Sequence, residues 1–224
     1  MVERFLITTA DQRTWKLGTP ILFLGSWCKL FSDKELWKRQ DTSTLEYHWD
    51  DRHQVIRDHE YLNTLYENLL ESLTKSLNSI HDVDYKSDYW RILIGPWLYY
   101  FSQTIFDRWT MIETALEKYD IKETIILDID DSNMLPNDFS DFEGKYTSDT
   151  WNNWVYGKIL NEKNFNKVDL KASNNNEIEA VSYKAKILDR IKNTLKDFSG
   201  LFQKLSKSNK VFIYQTLFTP YQMA

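Results

Sequence analysis

Pro20-Ile21-Leu22-Phe23-Leu24-Gly25-Ser26-Trp27-Cys28 is an almost unbroken apolar run that stops at a glycine and a small polar residue. A strand exposed on one face alternates apolar and polar side chains; an unbroken run is the pattern of a strand covered on both faces, as in a parallel sheet. Four further runs read the same way or nearly so: Arg4–Thr9, Leu45–His48, Thr124–Ile129 and Val211–Gln215. Between them lie helical patterns. Val55, Leu62, Leu65, Tyr66, Leu69, Leu73, Leu77 and Ile80 form one stripe. A second stripe runs from Ser87 to Tyr119, interrupted at Gly95-Pro96, where a kink or a fresh helix start is expected. A shorter helix is expected over Asp149–Asn161 and a long one over Ile178–Leu205, while Asp130–Lys145 and the polar stretch Asn161–Asn176 read as loops. Strands alternating with helices predict an α/β fold: a Rossmann-like open, mostly parallel sheet with flanking long helices. At 224 residues the chain is read as a single α/β domain. Because Val211–Gln215 reads as a central strand followed by almost nothing, that domain is expected to be half of a longer polypeptide.

Composition narrows the function classes. A net charge of −5 with scattered basic residues argues against a nucleic-acid partner, which needs a basic face. The single cysteine, Cys28, allows no intramolecular disulfide and no thiolate zinc cluster, and it is expected to be a buried thiol. No signal-type apolar stretch opens the chain, and no run reaches the ~18 apolar residues of a membrane span. A cytoplasmic location is expected, with a peripheral contact at the inner face of the membrane left open. Aromatic residues make up 15% of the chain, enough to line saccharide clefts as well as a core.

Ligands of open α/β sheets bind beyond the carboxyl ends of the strands. Thr9 follows the first run and Trp27 the second. Tyr47-His48-Trp49-Asp50-Asp51-Arg52 follows the third and gathers an imidazole, two carboxylates, a guanidinium and an indole. His48 suits a general base, Asp50 or Asp51 could orient it or hold a sugar hydroxyl, and Arg52 could clamp an anion. The structural alternative is that an Asp caps the next helix, Arg52 pairs with it and Trp49 is core. A second cluster spans Trp90, Arg91 and Trp97, followed by Asp107 and Arg108. A helix start at Pro96 would offer free amides to an anion, with Arg91 and Arg108 adding charge. The alternative there is a Trp-rich core helix carrying an ion pair. His53, His59 and His81 show no metal-ligand spacing; no metal site is assigned.

Five motifs in this order carry a family resemblance: Phe5-Leu6-Ile7-Thr8-Thr9, Ile21–Cys28, Tyr47–Arg52, Tyr89-Trp90-Arg91-Ile92-Leu93-Ile94-Gly95-Pro96-Trp97-Leu98, and Phe106-Asp107-Arg108-Trp109. Together they resemble a family of bacterial transferases found among O-antigen and other surface-carbohydrate genes, whose members look like two-domain proteins of GT-B kind. The resemblance implies that this chain is the N-terminal, acceptor-side half of a glycosyltransferase, inactive alone. It implies a saccharide or lipid-linked acceptor as partner, together with a C-terminal GT-B-like domain in cis or in trans. No cofactor is expected in this domain; the nucleotide-sugar donor would bind the C-terminal one. Metal-independent inverting chemistry would follow, with His48, Asp50 or Asp51 as base, Arg52, Arg91 and Arg108 on anions, and Trp49, Trp90 and Trp97 stacking on sugar or packing. Two other readings stand beside it: a non-catalytic partner-docking domain or truncated remnant, and a sugar-nucleotide epimerase-like enzyme, for which no nucleotide fingerprint is present.

Overall fold

The computed structural model describes residues 2–165 and the strand Val168–Ala172. Strand β1, Arg4–Ile7, and strand β2, Ile21–Phe23, are buried but for Arg4 and pair in parallel, with Phe5 opposite Ile21 and Ile7 opposite Phe23. Strand β3, Thr42–Thr44, adds in parallel to β2, and strand β4, Ile121–Asp128, adds in parallel to the other side of β1. With β5, Val168–Ala172, the sheet order is β3-β2-β1-β4-β5. The chain therefore steps one way from β1 through β3 and then crosses to the far side of β1, which creates a switch point at the carboxyl ends of β1 and β4. This is the expected α/β, Rossmann-like parallel sheet with long flanking helices.

Several boundaries differ from expectation, each for a physical reason. The third strand is Thr42–Thr44 rather than Leu45–His48. An edge strand has one neighbour and one open side, so it has no need of an apolar run; half-buried Thr-Ser-Thr suffices. Leu45 still donates its amide to Phe23 (2.9 Å) before the chain turns away. Strand β4 starts at Ile121, ahead of the expected Thr124. The expected loop Asp130–Lys145 holds helices α4, Asp131–Met134, and α5, Phe139–Tyr146, and the expected loop Asn161–Asn176 holds β5. Val211–Gln215 and Ile178–Leu205 lie outside the described residues. The chain divides into two compact units, Met1–Leu127 with Lys145–Lys171, and Asp128–Gly144 with Ala172–Ala224. In the second unit, Asp130 caps α4 by accepting the Ser132 amide (2.8 Å).

The remaining helices of the first unit are the one-turn α1, Lys34–Trp37, the pair α2, Arg52–His81, and α3, Ser87–Lys118, and the later α6, Asp149–Glu162. Asp51 starts α2 by accepting the His53 amide (2.9 Å), as an N-cap should. Left-handed Asp82 ends it, and the Asn78 side chain closes the turn by bonding the Tyr85 carbonyl and the Trp90 indole (both 2.8 Å). Leu70, Trp90 and Leu98 form the hairpin's core, with Tyr66, Leu73 and Trp97 packed on it. Helix α3 runs from Ser87 to Lys118 through Pro96, so no fresh helix starts there. The proline removes only its own bond to the Ile92 carbonyl, and Ile92 is 78% exposed, on the solvent side of the helix. No described helix is long and apolar enough to cross a membrane.

Helix α6 locks onto the sheet. Gly157 lies so close to β4 that a Cβ there would meet Ile126 at 2.7 Å. Asn153, fully buried, accepts the Leu127 amide (2.8 Å) and donates to the Ile125 carbonyl and the Thr8 hydroxyl (both 3.2 Å), tying β4 to the end of β1. Replacing Asn153 with Ala strands these buried groups and is expected to cost about 2–3 kcal/mol. Denaturant unfolding measures this; a loss below about 0.5 kcal/mol would contradict the clamp.

Candidate functional site

Beyond β3 the chain makes a single 3₁₀ turn, His48–Asp50, and then enters α2. Two buried carboxylates receive that turn. Asp58, on α2, accepts the Trp49 indole N–H (2.9 Å) and the Gln54 amide (2.6 Å). Asp107, on α3, shares a 2.9 Å hydrogen bond with His48 Nε2. His48 Nδ1 faces Asp58 at 3.6 Å, an ion-pair distance too long for a hydrogen bond, and it has no hydrogen-bond partner among the described residues. The imidazole, 7% exposed, is thus set between two carboxylates. The second oxygen of Asp107 pairs with Arg108, and the Tyr47 phenol also bonds this carboxylate. Arg108 Nε reaches Asn152 on α6 (3.0 Å), whose own amide is fixed by the carbonyls of Tyr146 and Ser148.

The floor of the cluster comes from the first two strand ends. Trp27 donates to the Thr8 carbonyl (3.1 Å) and meets Tyr47 edge-on at 6.0 Å. Its ring lies across Gly25, where a Cβ would sit 2.1 Å from it, so the glycine after β2 is what admits the indole. A cleft of about 130 Å³ opens above, lined by Tyr47, Trp49, Tyr100, Gln103, Asp107 and Arg108, with Thr104 at its side.

Burial alone would raise the Asp107 pKa, but hydrogen bonds from His48, Tyr47 and Arg108, with the Arg108 charge, outweigh it and hold the carboxyl below its ordinary range. Burial first, and then the Asp107 charge, push Tyr47 upward, so it stays a protonated donor. Burial pushes the Cys28 thiol up to about 12; with its sulfur 3.4 Å from the Ile7 carbonyl, it is an inert core group.

The structure brings together His48, Trp49, Asp107 and Arg108, with Trp27 below them. Thr9 is buried beyond the end of β1; its carbonyl accepts the Trp15 indole (3.1 Å) and its hydroxyl has no partner among the described residues. Asp50, Asp51 and Arg52 are not part of the cluster. All three are exposed, and Asp51 is the cap of α2 with Arg57 at 4.0 Å. Trp90 and Trp97 pack in the hairpin. No helix starts beside Arg91, because α3 is continuous there; its guanidinium is bidentate to Glu67 (2.8 and 2.7 Å) and lines a separate groove of about 480 Å³ that includes Tyr66, Pro96 and Tyr99. Sequence reading missed Asp58, Asn152, Tyr100 and Gln103. Asp58 had a signal, a carboxylate three residues after Val55 and four before Leu62, at the spacing of the apolar stripe. Asn152 and Asn153 sit between Trp151 and Trp154 and had a weaker one. Among the described residues, no three His, Cys, Asp or Glu side chains gather closely enough to hold a metal ion.

Because the folded-state pKa of Asp107 is depressed, its ionised form stabilises the fold. That contribution is complete above the unfolded value of about 4 and disappears as pH falls through the lower folded value. Asp107→Asn is expected to cost about 3 kcal/mol near neutral pH, since His48 and Arg108 lose their anion. The variant should then lose less further stability than wild type below about pH 4. Denaturant titrations at both pH values test this, and parallel acid losses would contradict it.

The whole described site falls inside one family match: residues 4–223 fit the model of the LIC12162 family transferase. No curated protein matches the chain, and no solved structure does. With a match over nearly its full length, the chain belongs to the LIC12162 family of transferases.

Proposed function

We propose that this chain is the acceptor-side domain of a glycosyltransferase of bacterial surface-polysaccharide biosynthesis, with the Tyr47–Asp107 cleft as its acceptor site. The observation that carries this reading is the cleft's lining: a carboxylate, a guanidinium, an amide and a phenol, beside the rings of Trp49 and Tyr100. Planar polar groups suit sugar hydroxyls, and aromatic faces suit pyranose C–H surfaces. Membership of a transferase family fits this chemistry.

In this reading Asp107, which lines the cleft, takes the proton, and His48, which stands behind it, is a positioning residue. The acceptor hydroxyl gives its proton to a carboxylate oxygen as its own oxygen bonds the anomeric carbon of the donor. The glycosyl–phosphate bond breaks, and its electron pair leaves with the nucleotide. A carboxylate held by three donors is a weak base. It strengthens when the acceptor displaces Tyr47 or Arg108 from it. The nucleotide-sugar is assigned to a C-terminal GT-B-like domain, in cis or in trans, so the chain alone is expected to bind acceptor without turning it over.

A second reading, a non-catalytic docking domain, is favoured by the double carboxylate contact of His48, which suits a structural cross-brace. Calorimetry on the full chain separates the two. The acceptor reading expects oligosaccharide or lipid-linked acceptors to bind, and Tyr100→Ala and Arg108→Ala to weaken them by roughly tenfold, ~1.4 kcal/mol. Arg91→Ala should leave affinity unchanged. Tight nucleotide-sugar binding, or acceptor binding indifferent to Tyr100 and Arg108, would overturn it.

A further inference from the structure

Lys29-Leu30-Phe31-Ser32-Asp33-Lys34-Glu35-Leu36-Trp37-Lys38-Arg39 leaves the carboxyl end of β2 and crosses to β3. Phe31 is 83% exposed, the most exposed large hydrophobic side chain among the described residues, and Leu30 (48%) and Leu36 (38%) flank it. Around this wedge stand four cations, Lys29, Lys34, Lys38 and Arg39, against two carboxylates, Asp33 and Glu35, a local charge of +2 in a chain of −5. Two of the ammonium groups stand over aromatic rings: Lys34 Nζ sits 5.4 Å from the Phe31 ring, and Lys29 Nζ 5.4 Å from the Trp37 ring. Lys38 pairs with Glu35, while Arg39 is exposed and has no ion pair among the described residues.

We propose that this segment docks the domain on an anionic lipid surface, Leu30 and Phe31 entering the headgroup boundary and the basic side chains meeting phosphates. Exposed apolar side chains interspersed with lysine and arginine are the composition of segments that seat at an anionic bilayer interface. A protein partner fits less well, because interface cores gather aromatics but shed lysine. The inference does not depend on the acceptor reading.

The test is co-flotation of the full chain with vesicles of phosphatidylcholine alone and with about one third phosphatidylglycerol. Binding is expected on the anionic vesicles, at least roughly tenfold above the neutral ones, and should fall as salt is raised. Leu30→Ser with Phe31→Ser, and separately Lys34→Glu with Arg39→Glu, should each cut it by roughly tenfold with an unchanged thermal midpoint. Absence of binding to anionic vesicles, or binding indifferent to both double variants, overturns the proposal. So does a dimer in sedimentation velocity that the Leu30/Phe31 variant dissolves while vesicle binding is absent; the face would then be a contact between copies.

Discussion

A carboxylate buried on a long helix is the constraint around which the site is arranged. Taking the Asp107 charge out of water costs several kcal/mol, and its position is tenable only because His48, Arg108 and Tyr47 all contribute hydrogen bonds. Those partners come from different places. His48 and Tyr47 belong to the turn after β3, and Arg108 carries the connection on to Asn152 of α6. One anion therefore joins an edge turn, the helical hairpin and the helix that covers the switch point. Asp58 repeats the device one layer out, holding Trp49 and facing the other side of His48.

The scaffold beneath is rigid where the site needs it. Buried β1 and β2 fix the strand ends that support Trp27, and Asn153 fixes β4 against β1 with bonds no water could replace in so dry a place. Helices α2 and α3, of 30 and 32 residues, pack side by side through Leu70, Trp90 and Leu98, so Asp58 and Asp107 are presented from long elements rather than loops. Side chains held by such elements keep their geometry better than side chains on mobile connections.

Much of this was legible in the chain itself. Continuous apolar runs at Phe5–Ile7 and Ile21–Leu24 disclosed the buried parallel strands, and the stripe from Val55 to Ile80 disclosed α2. The dipeptide Asp107-Arg108 and the run Tyr47-His48-Trp49 were visible as chemistry. Linear neighbourhood then misled: Asp50, Asp51 and Arg52 follow His48 and Trp49, yet all three are exposed on the way into α2, where Asp51 serves as a cap. Pro96 looked like a helix start because a proline cannot donate inside a helix, whereas the exposed setting of Ile92 one turn earlier is not written in the sequence. The Asp107–His48 pair spans 59 residues and exists only once the fold is made.

The indole N–H signals of the chain's tryptophans offer the most direct measurement of the central claim, that the cleft under Tyr47 and Asp107 receives a saccharide. Trp49 lines that cleft, while Trp90 is bonded to Asn78 in the hairpin. Proton–nitrogen correlation spectra recorded during titration with oligosaccharide acceptors, with both signals assigned by substitution, should show Trp49 moving in a saturable way and Trp90 holding still. A Trp49 signal that stays fixed while acceptors bind elsewhere on the chain would contradict the account.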